Sequence, residues 1–379
     1  MMGDRFNFRR LAALIRKEFI QMRRDKLTFA MMLGVPIMQL LLFGYAINSD
    51  PKHLATAVFA QDHSIFTRSF IKAMENTDYF QITERPETRE EADRLISRGT
   101  VQFVVQIPPN FSRDLVRGAE PQILLDADAT DPAAAGNAIA ALRVLATTAL
   151  NRDLTGPLAS RIPAATPFDL VVHPRYNSEN RTQYNIVPGI IGVILTMTMV
   201  MFTALAMTRE IERGTMENLL TMPARPLEVM MGKIIPYIVV GYIQTALVLV
   251  AARFLFEVPM IGSLILLSAV LLIFVAANLA VGFTFSTLAR NQLQAVQMAV
   301  FFFLPSILLS GFMFPFRGMP VWAQWIGEVL PLTHFLRIIR GILLKGNGIV
   351  DIQTDTGAIM IFFVAATVVA MNRYRQTLD

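Results

Sequence analysis

The feature that most constrains this chain is a series of long runs free of Asp, Glu, Lys, Arg and His. The first covers residues 28–47, an uncharged apolar run of 20 residues. At about 1.5 Å per residue a helix of that length reaches about 30 Å, the thickness of a bilayer core. Comparable runs occupy residues 186–207, 234–252, 261–288 and 293–314, and a shorter one covers 357–371. In hydrocarbon every backbone N–H and C=O must be satisfied within the segment, so such runs fold as helices. The chain is 54% hydrophobic, and its mean hydropathy of +0.47 fits a polytopic membrane protein.

The formal net charge of +5 is read as Lys and Arg beside anionic headgroups. No basic stripe interleaved with aromatics points to nucleic acid, so none is expected as a partner. Residues 1–27 carry a basic amphipathic segment. Phe8, Leu11, Ile15, Phe19 and Met22 recur at helical spacing, with Arg9, Arg10, Arg16, Lys17, Arg23 and Arg24 on the remaining turn. Such a helix lies in the membrane interface, as an anchor or as a surface for a partner. Its cations place the N-terminus inside. The run 28–47 is too long for a signal-peptide core, and no small-x-small site follows it closely, so it is read as a retained span.

Residues 48–185 are a different material, in which charges return. Residues 54–60, 79–83, 101–107 and 122–126 read as strands, with 168–172 as a last one. Residues 87–97 and 132–153 read as helices. This is an α/β domain that follows an in-to-out span and is therefore expected outside the cytoplasm. The expected architecture is a polytopic α-helical membrane protein of six transmembrane helices, with this extracytoplasmic α/β domain inserted after the first.

The loop 208–233 is charged at Arg209, Glu210, Glu212 and Arg213 and relaxed at Gly214. Thr215 can cap a short helix with Glu217 in its first turn and Leu219, Leu220 and Met222 on it. Pro223 and Pro226 end that helix, and Pro226 starts the next. Carboxylates and apolar groups are then presented together, either for docking to another protein or only to separate two spans.

The pattern Glu-Arg-Gly-Thr-x-Glu-x-Leu-Leu-x-x-Pro, followed by Glu228 and Gly232-Lys233, resembles the cytoplasmic loop of type-2 ABC transporter permeases. These are membrane subunits of ATP-driven exporters. Family members often carry Arg-Glu-Arg before the Gly-Thr, where this chain has Arg209-Glu210-Ile211-Glu212-Arg213. The stretch Arg98-Gly99 to Val105, then Pro108-Pro109-Asn110-Phe111-Ser112, resembles the family's extracytoplasmic domain. Leu309-Ser310-Gly311-Phe312-Met313-Phe314-Pro315 resembles the break of its fifth helix into an outer re-entrant hairpin, here 315–350, split by Pro331. Trp322 and Trp325, the only tryptophans, fall where an interfacial anchor belongs.

The resemblance implies that Glu210, Glu212, Arg213, Gly214, Thr215, Glu217, Leu219, Leu220 and Pro223 couple to a separate cytoplasmic ABC ATPase. It implies that the N-terminal helix lies beside that ATPase. It also implies a second permease copy or a sister permease, and leaves room for a periplasmic adaptor. The second and fifth helices of such permeases line the transport path. Here that places Met197, Met201, Phe302, Leu308 and Leu309 near it, with Met199, Phe301 and Phe303 as neighbours. The implied location is the bacterial inner membrane, with both termini cytoplasmic.

The chemistry the chain lacks points the same way. There is no G-x-x-x-x-G-K-[ST] phosphate loop, since Gly232-Lys233 lacks the upstream glycine and Ile234 follows. No cofactor is expected in this chain, and ATP and magnesium would belong to the partner ATPase. No H-E-x-x-H or G-x-S-x-G is present, so no enzyme activity is expected. Asp126, Asp128 and Asp131 have an acidic spacing but lack the glycine and distal glutamate of a calcium loop, and no metal is expected. His53, His63, His173 and His334 are scattered and read as surface or interface residues. Gln39, Gln244 and Asn278 are polar groups within spans, suited to helix-to-helix hydrogen bonds. An ATP-independent carrier or channel, or a membrane scaffold acting through its outer domain, is the alternative.

Overall fold

The computed structural model describes residues 51–154, 166–177, 179, 181–212 and 226–373. The expected N-terminal helix, the first span at 28–47 and loop residues 213–225 lie outside the described residues.

The α/β unit is built on a five-stranded sheet in the order β2-β1-β3-β4-β5. Its strands are β1 Leu54–Ala60, β2 Phe80–Glu84, β3 Phe103–Ile107, β4 Gln122–Asp128 and β5 Asp169–Arg175. β1 runs parallel to β2 and β3, β3 pairs antiparallel with β4, and β4 pairs parallel with β5. Parallel neighbours need helical crossovers. They are α1 Ile65–Glu75 and α2 Arg89–Ser97, and the short α3 Phe111–Arg117 leads to β4. α4 Pro132–Thr148 precedes β5.

β1 is buried on both faces, as a central parallel strand requires. Leu54 and Val58 face Phe70, Met74, Phe80, Phe103, Phe111 and Phe168 on one side. The small Ala55 and Ala57 on the other side let α2 approach through Ala92 and Ile96. Phe168 meets Phe70 and Phe111 edge-on, with centroids 5.3 and 5.8 Å apart. Each such side chain contributes about 1.5–3 kcal/mol by leaving water, which suffices to hold the unit's core.

α1 and α3 were not expected from sequence. Asp62 holds both. Its carboxylate accepts from Ser64 N, Thr67 Oγ1, Ser112 N and Ser112 Oγ at 2.8–3.1 Å. Burial opposes ionisation of Asp62, but those donors outweigh it and hold the carboxyl well below the usual range.

Five helices among the described residues are long and apolar enough to cross a membrane. They are α5 Thr182–Glu212, α6 Pro226–Phe254, α7 Leu264–Leu288, α8 Gln292–Leu309 and, after two shorter helices, α11 Ile349–Arg373. α7 packs between α5 and α11. Gly282 makes that approach close, because a Cβ there would stand 2.5 Å from Val200 O and 2.8 Å from Thr203 Cβ.

Between α8 and α11 lies a helical hairpin, α9 Val321–Val329 and α10 Pro331–Arg340, followed by a wider turn at Gly341–Lys345. Each helix reaches only about 15 Å, half of what crossing needs. Pro331 breaks the pair as expected and opens α10. α10 is almost wholly buried, and Phe335 stacks on Phe274 of α7 at 4.1 Å. His334 is one of its buried residues, which corrects the reading of the histidines as surface or interface groups.

Candidate functional site

The described part of the expected coupling region is the end of α5. Thr208 Oγ1 donates to Ala204 O, and the helix continues through Glu210 to Glu212. Glu212 Oε1 accepts from Gln292 N at 2.7 Å, and Oε2 accepts from Gln292 Nε2. Those bonds hold the Glu212 carboxyl below the ordinary range. Gln292 opens α8, whose first turn is capped by Asn291 accepting from Gln294 N at 2.9 Å. The start of the loop is thus tied to the foot of α8, three helices further along the chain. Arg213, Gly214, Thr215, Glu217, Leu219, Leu220 and Pro223 lie outside the described residues.

The residues expected along the path divide into three groups. Met201 and Phe302 come together in one cluster with Val200, Val281 and Ala299, and Phe302 meets Phe285 edge-on at 6.0 Å. Met197 and Phe301 point outward, 43% and 41% exposed, while Met199 is buried. Leu308 and Leu309 are buried under the hairpin against Met319, Ala323 and Leu330. Phe301 and Phe302 are helix neighbours and so point apart. Gln244 Oε1 accepts from Thr198 Oγ1 at 3.0 Å, joining α6 to α5. Asn278 Nδ2 donates to Phe274 O within its own helix, and Gln39 is outside the described residues.

Sequence reasoning had no account of Arg317, Arg337, Arg340 and Lys345. In the structure Lys345 and Arg317 bridge the hairpin region to the α/β unit, while Arg337 and Arg340 bond within the membrane half. Lys345 Nζ pairs with Asp128 Oδ2 at the end of β4, with both side chains under 10% exposed. Arg317 Nη2 donates to Gly99 O at 3.2 Å, and Arg98 Nε reaches Asp351 Oδ1 at 3.1 Å. Arg337 is held by Glu328 and by Asp355. Nδ1 of His334 faces Asp355 Oδ1 at 2.7 Å and Nε2 faces Glu328 O at 2.8 Å. Both partners can accept, so the arrangement favours a ring that donates from both nitrogens. The available signal was a cluster of cations on one short segment, facing a chain of carboxylates elsewhere in sequence.

Five helices long and apolar enough to cross a membrane, a helical hairpin and an α/β unit define a helical protein of membrane type. The family model described as "ABC-2 family transporter protein" matches residues 26–371, and the chain belongs to that family as a membrane permease. It is 29% identical over 349 residues to the "Probable multidrug ABC transporter permease YbhS" of Escherichia coli, covering 90% of each chain. It is 31% identical over 300 residues to the "Inner membrane transport permease YhhJ" of the same organism, covering 77% of each. Among solved structures, a domain of a putative ABC type-2 transporter from Thermotoga maritima aligns with 32% of this chain and 84% of that one. Its identity is 18% and its TM-score 0.26.

Proposed function

We propose that this chain is the permease subunit of an exporter driven by ATP hydrolysis on separate cytoplasmic ATPase subunits. Six spans cross the bacterial inner membrane, with residues 28–47 as the first and both termini in the cytoplasm. The α/β unit then stands outside, where a periplasmic adaptor could meet it. The permease works as a pair, with a second copy or a sister chain. The substrate is amphipathic or hydrophobic, a class that the multidrug description of YbhS supports. ATP and magnesium reside in the ATPase, consistent with a sequence that has no phosphate loop.

The observation that carries this reading, beyond family membership, is the bond between Glu212 and Gln292. Closure of the ATPase pushes on the loop 208–233. Because the loop's start is clamped to the foot of α8, the push reaches α5 and α8 together. Those helices bring Met201 and Phe302 into one apolar cluster, and their relative shift opens it outward.

The test is affinity purification of the tagged chain from its native membrane in mild detergent, beside Glu217→Arg. An ATPase that co-purifies with the unaltered chain and is lost from the variant supports the exporter. Transport that persists in vesicles containing only this chain would replace it with an ATP-independent carrier.

A further inference from the structure

The seam between the α/β unit and the membrane half holds an open-sided cavity of about 110 Å³. Its polar lining comes from both halves: Gln102, Asp128, Thr130 and Asp131 from the α/β unit, Ser310, Arg317 and Arg340 from the membrane half. Drug-sized ligands occupy about 300–1,000 Å³, so this space suits a few waters or one small polar group.

Arg340 Nη1 donates to Gly311 O at 3.2 Å. Its Nε and Nη2 are buried and have no hydrogen-bond partner among the described residues. Those two atoms form one edge of the guanidinium, a fork that matches two oxygens of a carboxylate or phosphate. The same protein shows that edge filled. Arg175 donates from Nε and Nη2 to the two oxygens of Asp126 at 2.9 and 3.1 Å. Arg340 has the fork without the oxyanion.

The local charges leave room for one. Asp128 is taken by Lys345 and by Thr130, whose Oγ1 donates to Oδ1 at 2.8 Å. Asp131 Oδ1 accepts from Asn185 Nδ2. Arg337 is matched by Glu328 and Asp355. Among the described residues, Arg317, Arg340 and Lys345 stand around the cavity with Asp128 and Asp131, three cations to two carboxylates, and Glu328 also acts on Arg317. Water can fill the volume but carries no charge to set against the cations.

We propose that the cavity is an oxyanion site that takes a single phosphate group on the Nε–Nη2 edge of Arg340, beside Arg317. The phosphate comes from solution or from a lipid headgroup at the membrane surface. Bound there, it joins the α/β unit to the hairpin through a ligand in addition to the Lys345–Asp128 pair.

The test uses the full chain in detergent, with thermal unfolding followed in chloride and in rising inorganic phosphate. A second arm uses nanodiscs of phosphatidylglycerol or phosphatidylcholine. The midpoint is expected to rise with phosphate, or in phosphatidylglycerol over phosphatidylcholine, and which arm responds identifies the source. Arg340→Gln is expected to weaken the response at least about tenfold, the loss of a charge-assisted fork. Gln102→Glu supplies a carboxylate to the same cavity and guards against a variant that fails to fold. It is expected to raise the basal midpoint and abolish the response. A water-filled cavity predicts no response in either arm. That result, or a response retained in Arg340→Gln or Gln102→Glu, overturns the proposal.

Discussion

Lys345, at the end of the hairpin, donates to the carboxylate of Asp128, which lies 217 residues earlier in the chain at the end of β4. The pair is buried and joins the two halves of the molecule. Removing one partner of such a pair leaves a charge unmatched and costs about 3–5 kcal/mol, while replacing both with apolar groups is often near neutral. Lys345→Met alone is therefore expected to lower the unfolding midpoint sharply. The double variant with Asp128→Leu is expected to recover most of the loss. Thermal unfolding of the three proteins, side by side, checks this; equal losses in single and double variants would contradict it.

Asp126 makes the stability of the α/β unit depend on acid. It is buried and accepts from His173 Nδ1 at 2.7 Å, Gln106 Nε2 at 2.6 Å and the Arg175 fork. Burial pushes its pKa up, but the bonds from Arg175 and His173 outweigh that and hold it below the ordinary value of 3.8. A carboxyl lowered on folding contributes stability that is complete above its unfolded pKa and is lost as pH falls through the folded one. The contribution is thus level through neutral pH and fades below about pH 4. Asp126→Asn is expected to cost about 3–5 kcal/mol at pH 7 and to flatten that acid limb. Unfolding midpoints measured from pH 3 to 8 report both effects.

Gly282 sets the distance between α7 and α5. A methyl group there meets Val200 O at 2.5 Å, and backbone cannot yield as a side-chain tip can. Gly282→Ala is expected to destabilise by about 1–3 kcal/mol, the usual penalty of overpacking. Gly357→Ala, on α11 with nothing within 4 Å of the added atom, is the control expected to be neutral. Unfolding midpoints of the two variants compare them directly.

Gln292→Ala separates coupling from folding. The side chain of Gln292 meets Glu212 at an exposed site, where substitutions change stability by about 0.5 kcal/mol or less. Transport-linked ATPase activity of the assembled complex is expected to fall severalfold, with the unfolding midpoint unchanged. Unaltered activity would remove the Gln292 side-chain bond to Glu212 from the coupling route and leave only the backbone bond, which this variant keeps.

Much of the α/β unit was legible from local pattern. β1 spans residues 54–60, as its apolar run indicated, and Asp131-Pro132 marks the start of α4. α1 was missed although Ser64 caps it and Phe66, Phe70 and Met74 recur every four residues. α3 is 7 residues long, too short to show a period. α5 continues past the expected end at 207, because charged residues suit a helix once it has left the apolar run. Of the path residues, Met201 and Phe302 could be paired only after α5 and α8 were packed, since the pattern does not say which face of an all-apolar helix meets a neighbour.

The class of protein follows from local pattern alone. Uncharged runs of bilayer length can satisfy their backbone only as helices, and the loop motif together with the helix breaks points to the family. Tertiary structure decided what the scattered charges do. Arg317, Arg337, Arg340 and Lys345 look misplaced along the chain, yet the fold brings each to a carboxylate or carbonyl, across to the α/β unit for Arg317 and Lys345 and within the membrane half for Arg337 and Arg340. Periodicity is a property of neighbours a few residues apart. A charge pair is set by distance in space, and no pattern within one segment encodes a partner 217 residues away.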